Sequence, residues 1–183
     1  SIYEHYFGKL NLNVPKSDFD FRLSSCERWI KFGFTRVNIG ILLGLGNLET
    51  SIEGLIKHCN ILEALGGQVE ISLPRVIGDF DYGKVEKLSD DCFIEVVKYI
   101  SKSCRNAKLI LTTRESEDML LKLLDYIDII SPGTSDIGGY TKTGMILNST
   151  NSSQFSSAER RKRPSWVLDY VISNSNLQEI KYY

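Results

Sequence analysis

Arg36-Val-Asn-Ile-Gly-Ile-Leu-Leu-Gly44 decides the fold. It is a run rich in β-branched and leucine residues that ends in glycine, the composition of a strand. Three further segments repeat the theme: Val69-Glu-Ile-Ser-Leu-Pro74, Lys108-Leu-Ile-Leu-Thr-Thr113 and the short Ile127-Asp-Ile-Ile130. Three of the four are apolar enough to suggest strands covered on both faces. Helical patterns lie between them. Over residues 50–65, Ile52, Leu55, Ile56, Cys59 and Leu62 recur at three- and four-residue intervals, and Gly66-Gly67 ends the run. Ser89-Asp90-Asp91 opens a second helix, with Phe93, Val96, Val97 and Ile100 as its buried stripe. A leucine-rich helix spans residues 116–125, and an amphipathic one over 24–31 precedes the first strand.

Strands that alternate with helices pair in parallel through right-handed crossovers. Four such units suit half of a (β/α)8 barrel or a small doubly wound sheet. Half a barrel leaves two edge strands unpaired and a concave apolar face bare, so a preceding half is expected in the natural chain. Residues 1–140 read as the half-barrel. Residues 141–183 read as a tail, a Ser-, Thr- and Asn-rich loop followed by a short helix within 164–173.

The 183 residues suit one domain, and 42% hydrophobic with 25% charged residues is an ordinary globular balance. A net charge of -1 supplies no basic field, and Arg160-Arg161-Lys162-Arg163 reads as a solvated turn, so no nucleic-acid partner is expected. No apolar run reaches the ~20 residues that span a bilayer, and no signal peptide opens the chain, which points to the cytoplasm and away from membranes. Cys26, Cys59, Cys92 and Cys104 show no CxxC or CxxxCxxC spacing. They read as buried, reduced thiols, and no metal ligand is expected here.

In a barrel of this kind the chemistry sits where strands end. The first strand ends in Gly40-Ile-Leu-Leu-Gly44, a place for a flat ligand to approach the backbone or simply a tight turn. The second ends in Ser72-Leu-Pro-Arg75. Its proline frees carbonyls, and Arg75 either binds an anion or lies on the surface. After the third strand comes Arg114, whose guanidinium can grip a carboxylate with two parallel hydrogen bonds; an exposed Arg114–Glu115 pair is the equal alternative. Ser131, at the end of the fourth, can donate one hydrogen bond. Neither His5 nor His58 is near Ser131 in sequence, which argues against a hydrolytic triad. Arg22, in Asp18-Phe-Asp-Phe-Arg22, faces the mouth or solvent.

Several of these stretches resemble the radical S-adenosylmethionine (SAM) aromatic amino-acid lyases. They are Val14-Pro-Lys-Ser-Asp-Phe-Asp-Phe-Arg22, Leu109-Ile-Leu-Thr-Thr-Arg-Glu115, Ile129-Ile-Ser-Pro-Gly133 with Asp136 and Tyr140, and Ser152-Ser-Gln-Phe155 followed by Arg163-Pro164. The resemblance runs in order over nearly the whole chain. It implies the C-terminal half of a TIM-like (β/α) radical SAM barrel. It implies a [4Fe-4S] cluster with ligands in the preceding half, bound SAM, and a 5′-deoxyadenosyl radical that takes a hydrogen from the amine of an aromatic amino acid. By the same resemblance Arg114 and Ser131 hold the substrate, and Arg22, Leu42 and Arg75 fall to the cofactor, Leu42 beside the adenine.

Within the group the Val-Pro-Lys, Thr-Thr-Arg and Ser-Gln-Phe segments are most similar to the tryptophan-cleaving member, which makes 3-methyl-2-indolic acid. Gly138-Gly139-Tyr140 departs from it toward the tyrosine-cleaving enzyme of thiamine biosynthesis, and the tyrosine-cleaving enzyme of hydrogenase maturation is the third member. The chain lacks the CxxxCxxC loop, so alone it is expected to be inactive. A non-catalytic half-barrel that serves as a binding module is the alternative.

Overall fold

A computed structural model describes residues 18–76, 87–112, 115–131 and 173. In chain order these form α1 (Phe19–Leu23), α2 (Ser25–Lys31), β1 (Arg36–Gly40), α3 (Leu48–Ala64), β2 (Gln68–Ser72) and α4 (Asp90–Ser103). There follow β3 (Lys108–Thr112), α5 (Glu117–Leu123), a 3-10 turn (Leu124–Tyr126) and β4 (Ile129–Ser131). The expected tail lies outside the described residues, apart from Ser173.

The four strands are parallel and stand in the order β1-β2-β3-β4. Register explains how the core forms. Val37 pairs with Val69, Ile39 with Ile71, and Ile71 with Leu109, so all point to one face. Right-handed crossovers bring the helices to that same face. Leu55, Cys59 and Leu62 of α3, Phe93 and Ile100 of α4 and Leu120 of α5 join these strand residues in one buried cluster. Each fully buried Leu, Ile or Phe contributes roughly 1.5–3 kcal/mol.

Local signals set the helix ends. Asn47, Ser89 and Ser116 each accept a backbone N–H of the first turn, from Thr50, Cys92 and Met119 respectively. At the far end of α3, Gly66 takes a φ of 88°, a left-handed conformation that glycine adopts without strain.

Three expectations need correction. The first strand stops at Gly40 rather than Gly44, and among the described residues the strands are covered on one face only. Within β1 the burial alternates strictly. Arg36, Asn38 and Gly40 point away from the helices, as do Gln68, Glu70 and Ser72 of β2 and Lys108 of β3. The second face is therefore polar over β1 and β2, while the register carries half-buried Ile110 and Ile129 onto it at β3 and β4. Ile41, Leu42 and Leu43 lie past the strand and made a period-two segment look like a continuous apolar run. The last strand also starts later than expected, because residues 124–126 close into the 3-10 turn. There the Asp128 side chain accepts the N–H of Leu109 at 2.8 Å.

The cysteines are free, as expected, but only Cys59 and Cys104 are buried; Cys26 and Cys92 are half-buried. A hydrogen bond with Cys104, helped by burial, pushes the Cys59 thiol far up.

Candidate active site

The polar face carries a short ladder across β1 and β2. Arg36 pairs with Glu70. One step on, the Asn38 amide donates to the Ser72 hydroxyl at 3.1 Å, and the Ser72 hydroxyl lies 3.2 Å from the Asn38 amide oxygen. At the end of the strands a Cβ on Gly40 would sit against the carbonyl oxygen of Ser72, inside contact distance. Glycine is what allows the two backbones to lie as they do here. They pair again past the strands, where the Leu43 N–H donates to the Pro74 carbonyl at 2.8 Å and the Val76 N–H to the Leu43 carbonyl at 2.9 Å. The Pro74 carbonyl is thus engaged rather than freed.

Arg75 lies at this rim and is only 8% exposed. Its Nε donates to both oxygens of Glu115 at 3.0 and 3.1 Å, and one terminal nitrogen reaches Glu115 and Asp90, each at 2.6 Å. The other terminal nitrogen donates to the Leu88 carbonyl at 3.1 Å. The guanidinium also lies over the Phe93 ring, 4.7 Å from its centroid. Burial works to lower the pKa of Arg75, but the bonds to Glu115 and Asp90 outweigh it, and the group ends above its ordinary value.

The network bears on two candidates. The fork of Arg75 is taken up by carboxylates of its own chain, not held open for a cofactor. Glu115, at 6% exposure, is no part of a surface pair. Sequence reading missed Glu115, Asp90 and the Asn38–Ser72 pair. The signals were the period-two alternation in residues 36–40 and an Arg and a Glu of opposite charge, each just past the end of a strand.

The other candidates are spread along the same rim. Leu42 is half-buried just beyond β1. Arg22 is an exposed residue of α1. The Cys26 thiol of α2 lies 3.9 Å from the Asn38 carbonyl, so α1, one turn earlier, stands toward the end of β1. Ser131 ends β4, where its backbone pairs with Thr112 at the end of β3. Arg114 lies outside the described residues. Among the described residues no group of His, Cys, Asp or Glu could hold a metal ion, and no helix is long and apolar enough to cross a membrane.

No protein-family model and no curated protein matches the chain. Solved structures do. One is the crystal structure of HydG, a maturase of the [FeFe]-hydrogenase, with 27% identity, a TM-score of 0.61 and 73% of this chain covered. Another is the FeFe-hydrogenase maturase HydG from Carboxydothermus hydrogenoformans, with 21% identity, a TM-score of 0.71 and 94% covered. This chain spans 30% of the first protein and 38% of the second. Hydrogenase maturation is the role of one of the three lyases that the sequence resembles. The match thus supports that group, and not its tryptophan-cleaving member. The chain has the fold of part of a radical SAM barrel, four parallel strands with helices on one face.

Proposed function

We propose that the chain is the C-terminal part of a radical SAM lyase acting on a free aromatic amino acid. The observation that carries this is the likeness to the hydrogenase maturase, at 27% identity over 73% of the chain. Tyrosine is the substrate that this likeness favours. The Thr112-Thr113-Arg114 and Ser-Gln-Phe segments keep tryptophan as a second reading.

The four cysteines have no CxxC or CxxxCxxC spacing, and in this reading the cluster's ligands belong to another part of the enzyme. In this reading SAM lies at the rim. Gly40 is exposed on the polar face and Leu42 follows it half-buried, an edge that a flat purine can lie against. When bound and reduced, SAM supplies the 5′-deoxyadenosyl radical, and the protein contributes position, polarity and exclusion of water. In this reading Arg22 meets the SAM carboxylate, Arg114 grips the substrate carboxylate, and Ser131 helps to orient the substrate.

The test uses the complete enzyme with its cluster. Arg114→Ala should abolish or redirect cleavage of the amino acid while uncoupled cleavage of SAM continues, because small misplacements of the amine are costly. Arg114→Lys should rescue only in part, since lysine lacks the fork. Product and 5′-deoxyadenosine are quantified side by side, with tyrosine and tryptophan each supplied. A normal product-to-deoxyadenosine ratio in Arg114→Ala would exclude this role.

A further inference from the structure

One register row crosses all four strands on the face opposite the helices: Gly40, Ser72, Ile110 and Ile129. Its character changes along its length. Gly40 adds no side chain. Ser72 holds Asn38, from the row below, by two hydrogen bonds of 3.1 and 3.2 Å. Ile110 and Ile129 are half-buried and belong to no part of the core cluster. Adjacent strands stand about 4.8 Å apart, so an aromatic ring laid over Ile110 and Ile129 brings a substituent on its edge over Ser72. Below the pair the charges cancel, because Arg36 is bound to Glu70. The pair itself is neutral and keeps bonding capacity. A serine hydroxyl has one donor and two lone pairs, and an amide side chain has two donors and two lone pairs on its oxygen. Their mutual bonds leave, among the described residues, one amide N–H and a lone pair on each oxygen. The pair can thus donate one hydrogen bond and accept another at the same place, which matches a hydroxyl. An indole N–H can only donate.

We propose that Asn38 and Ser72 are the specificity-determining pair of the substrate pocket: together they take the ring hydroxyl of a phenolic amino acid, while Ile110 and Ile129 carry the face of the ring. The inference rests on the function proposed above and chooses between its two substrates. A site built to hydrogen-bond a hydroxyl rejects the analogue that lacks it, because its own polar groups are then left unpaired. Ser72→Ala removes the hydroxyl, and Asn38→Leu keeps the bulk of the amide without its polarity. Neither side chain belongs to the buried core cluster, so neither change opens a cavity in it.

Dissociation constants of L-tyrosine, L-phenylalanine and L-tryptophan are measured for the complete enzyme that carries this chain, as the parent protein, Ser72→Ala and Asn38→Leu. The parent enzyme should bind tyrosine about tenfold or more tighter than phenylalanine. Each variant should lose about tenfold for tyrosine and keep its affinity for phenylalanine, so that the preference for the hydroxyl collapses. General damage to the pocket would weaken both ligands alike, and that result would overturn the inference. So would an unchanged preference in the variants, or a parent enzyme that binds phenylalanine as well as tyrosine. Tryptophan bound in preference to tyrosine would overturn it too, and would leave the lyase reading standing. A parent enzyme that binds none of the three ends both.

Discussion

Glu115 has 6% of its surface exposed, and its carboxylate rests on Arg75. Truncating one partner of such a pair leaves a buried charge, which costs about 3–5 kcal/mol. Glu115→Ala is therefore expected to lower stability by that order, because Asp90, itself 64% exposed, is a weak substitute. The double variant Arg75→Met/Glu115→Leu should lose less than either single change. Urea unfolding of Arg75→Met, Glu115→Leu and the double variant decides it, and simple additivity would refute the coupling. His58 is a different case. Its Nε2 is buried without a hydrogen-bond partner among the described residues, and burial lowers its pKa below 6.5 against the pull of Glu27. As the pH falls, the unfolded chain takes up this proton first. The contribution of His58 is thus intact above pH 6.5 and lost as the pH drops through the lower folded value. His58→Gln should flatten the fall in stability between about pH 7 and about pH 5. A slope equal to that of the parent protein would show that other groups dominate.

Elements were more legible than sites. All four strands, their order and the helices between them follow from periodicity, because each helix buries one stripe against one face of the sheet. The N-caps Ser89 and Ser116 were also readable, since a short polar side chain before an apolar stripe has few other uses. Strand ends were harder. Nothing local in Gly40-Ile-Leu-Leu separates a strand from the loop that continues it, and the buried Leu43 belongs to the rim bridge. Arg75 was ambiguous because its partner Glu115 is 40 residues away and its role exists only in the fold. Two glycines make the distinction testable. Gly40→Ala pushes a Cβ into the Ser72 backbone, which cannot swing aside, and should cost about 1–3 kcal/mol. Gly54 lies within α3 with nothing near its added Cβ, so Gly54→Ala should stabilise by about 0.5–1 kcal/mol. Thermal melts that moved the same way for both would contradict this account.

At the scale of the molecule, a half-barrel leaves two sheet edges and a concave face open, and over β1 and β2 that face is polar. Among the described residues β1 and β4 are both unpaired edges, and that of β1 is flanked by exposed aromatics on and after α1 and α2. Phe32 is 81% exposed, and Phe19, Phe21, Trp29 and Phe34 are about half exposed. Trp29 and Phe34 stack with centroids 3.8 Å apart and present a flat apolar surface. The isolated chain should therefore associate in a concentration-dependent way, and Phe21→Ser/Phe32→Ser should shift it toward monomer. Sedimentation velocity reads both, and a parent chain that stayed monomeric at every concentration would exclude it.

Each strand of the sheet pairs with the one synthesised just before it. A ribosome therefore delivers every new strand beside an edge already in place, and no early segment must wait for a distant late one. The Arg75–Glu115 contact is the long stitch in this sequence. It closes only after β3 has emerged and ties the newest unit back to an older one. The same order makes the architecture extensible: a further β-strand and helix can be added beside β1 or β4, the edges among the described residues, without rethreading what is already built.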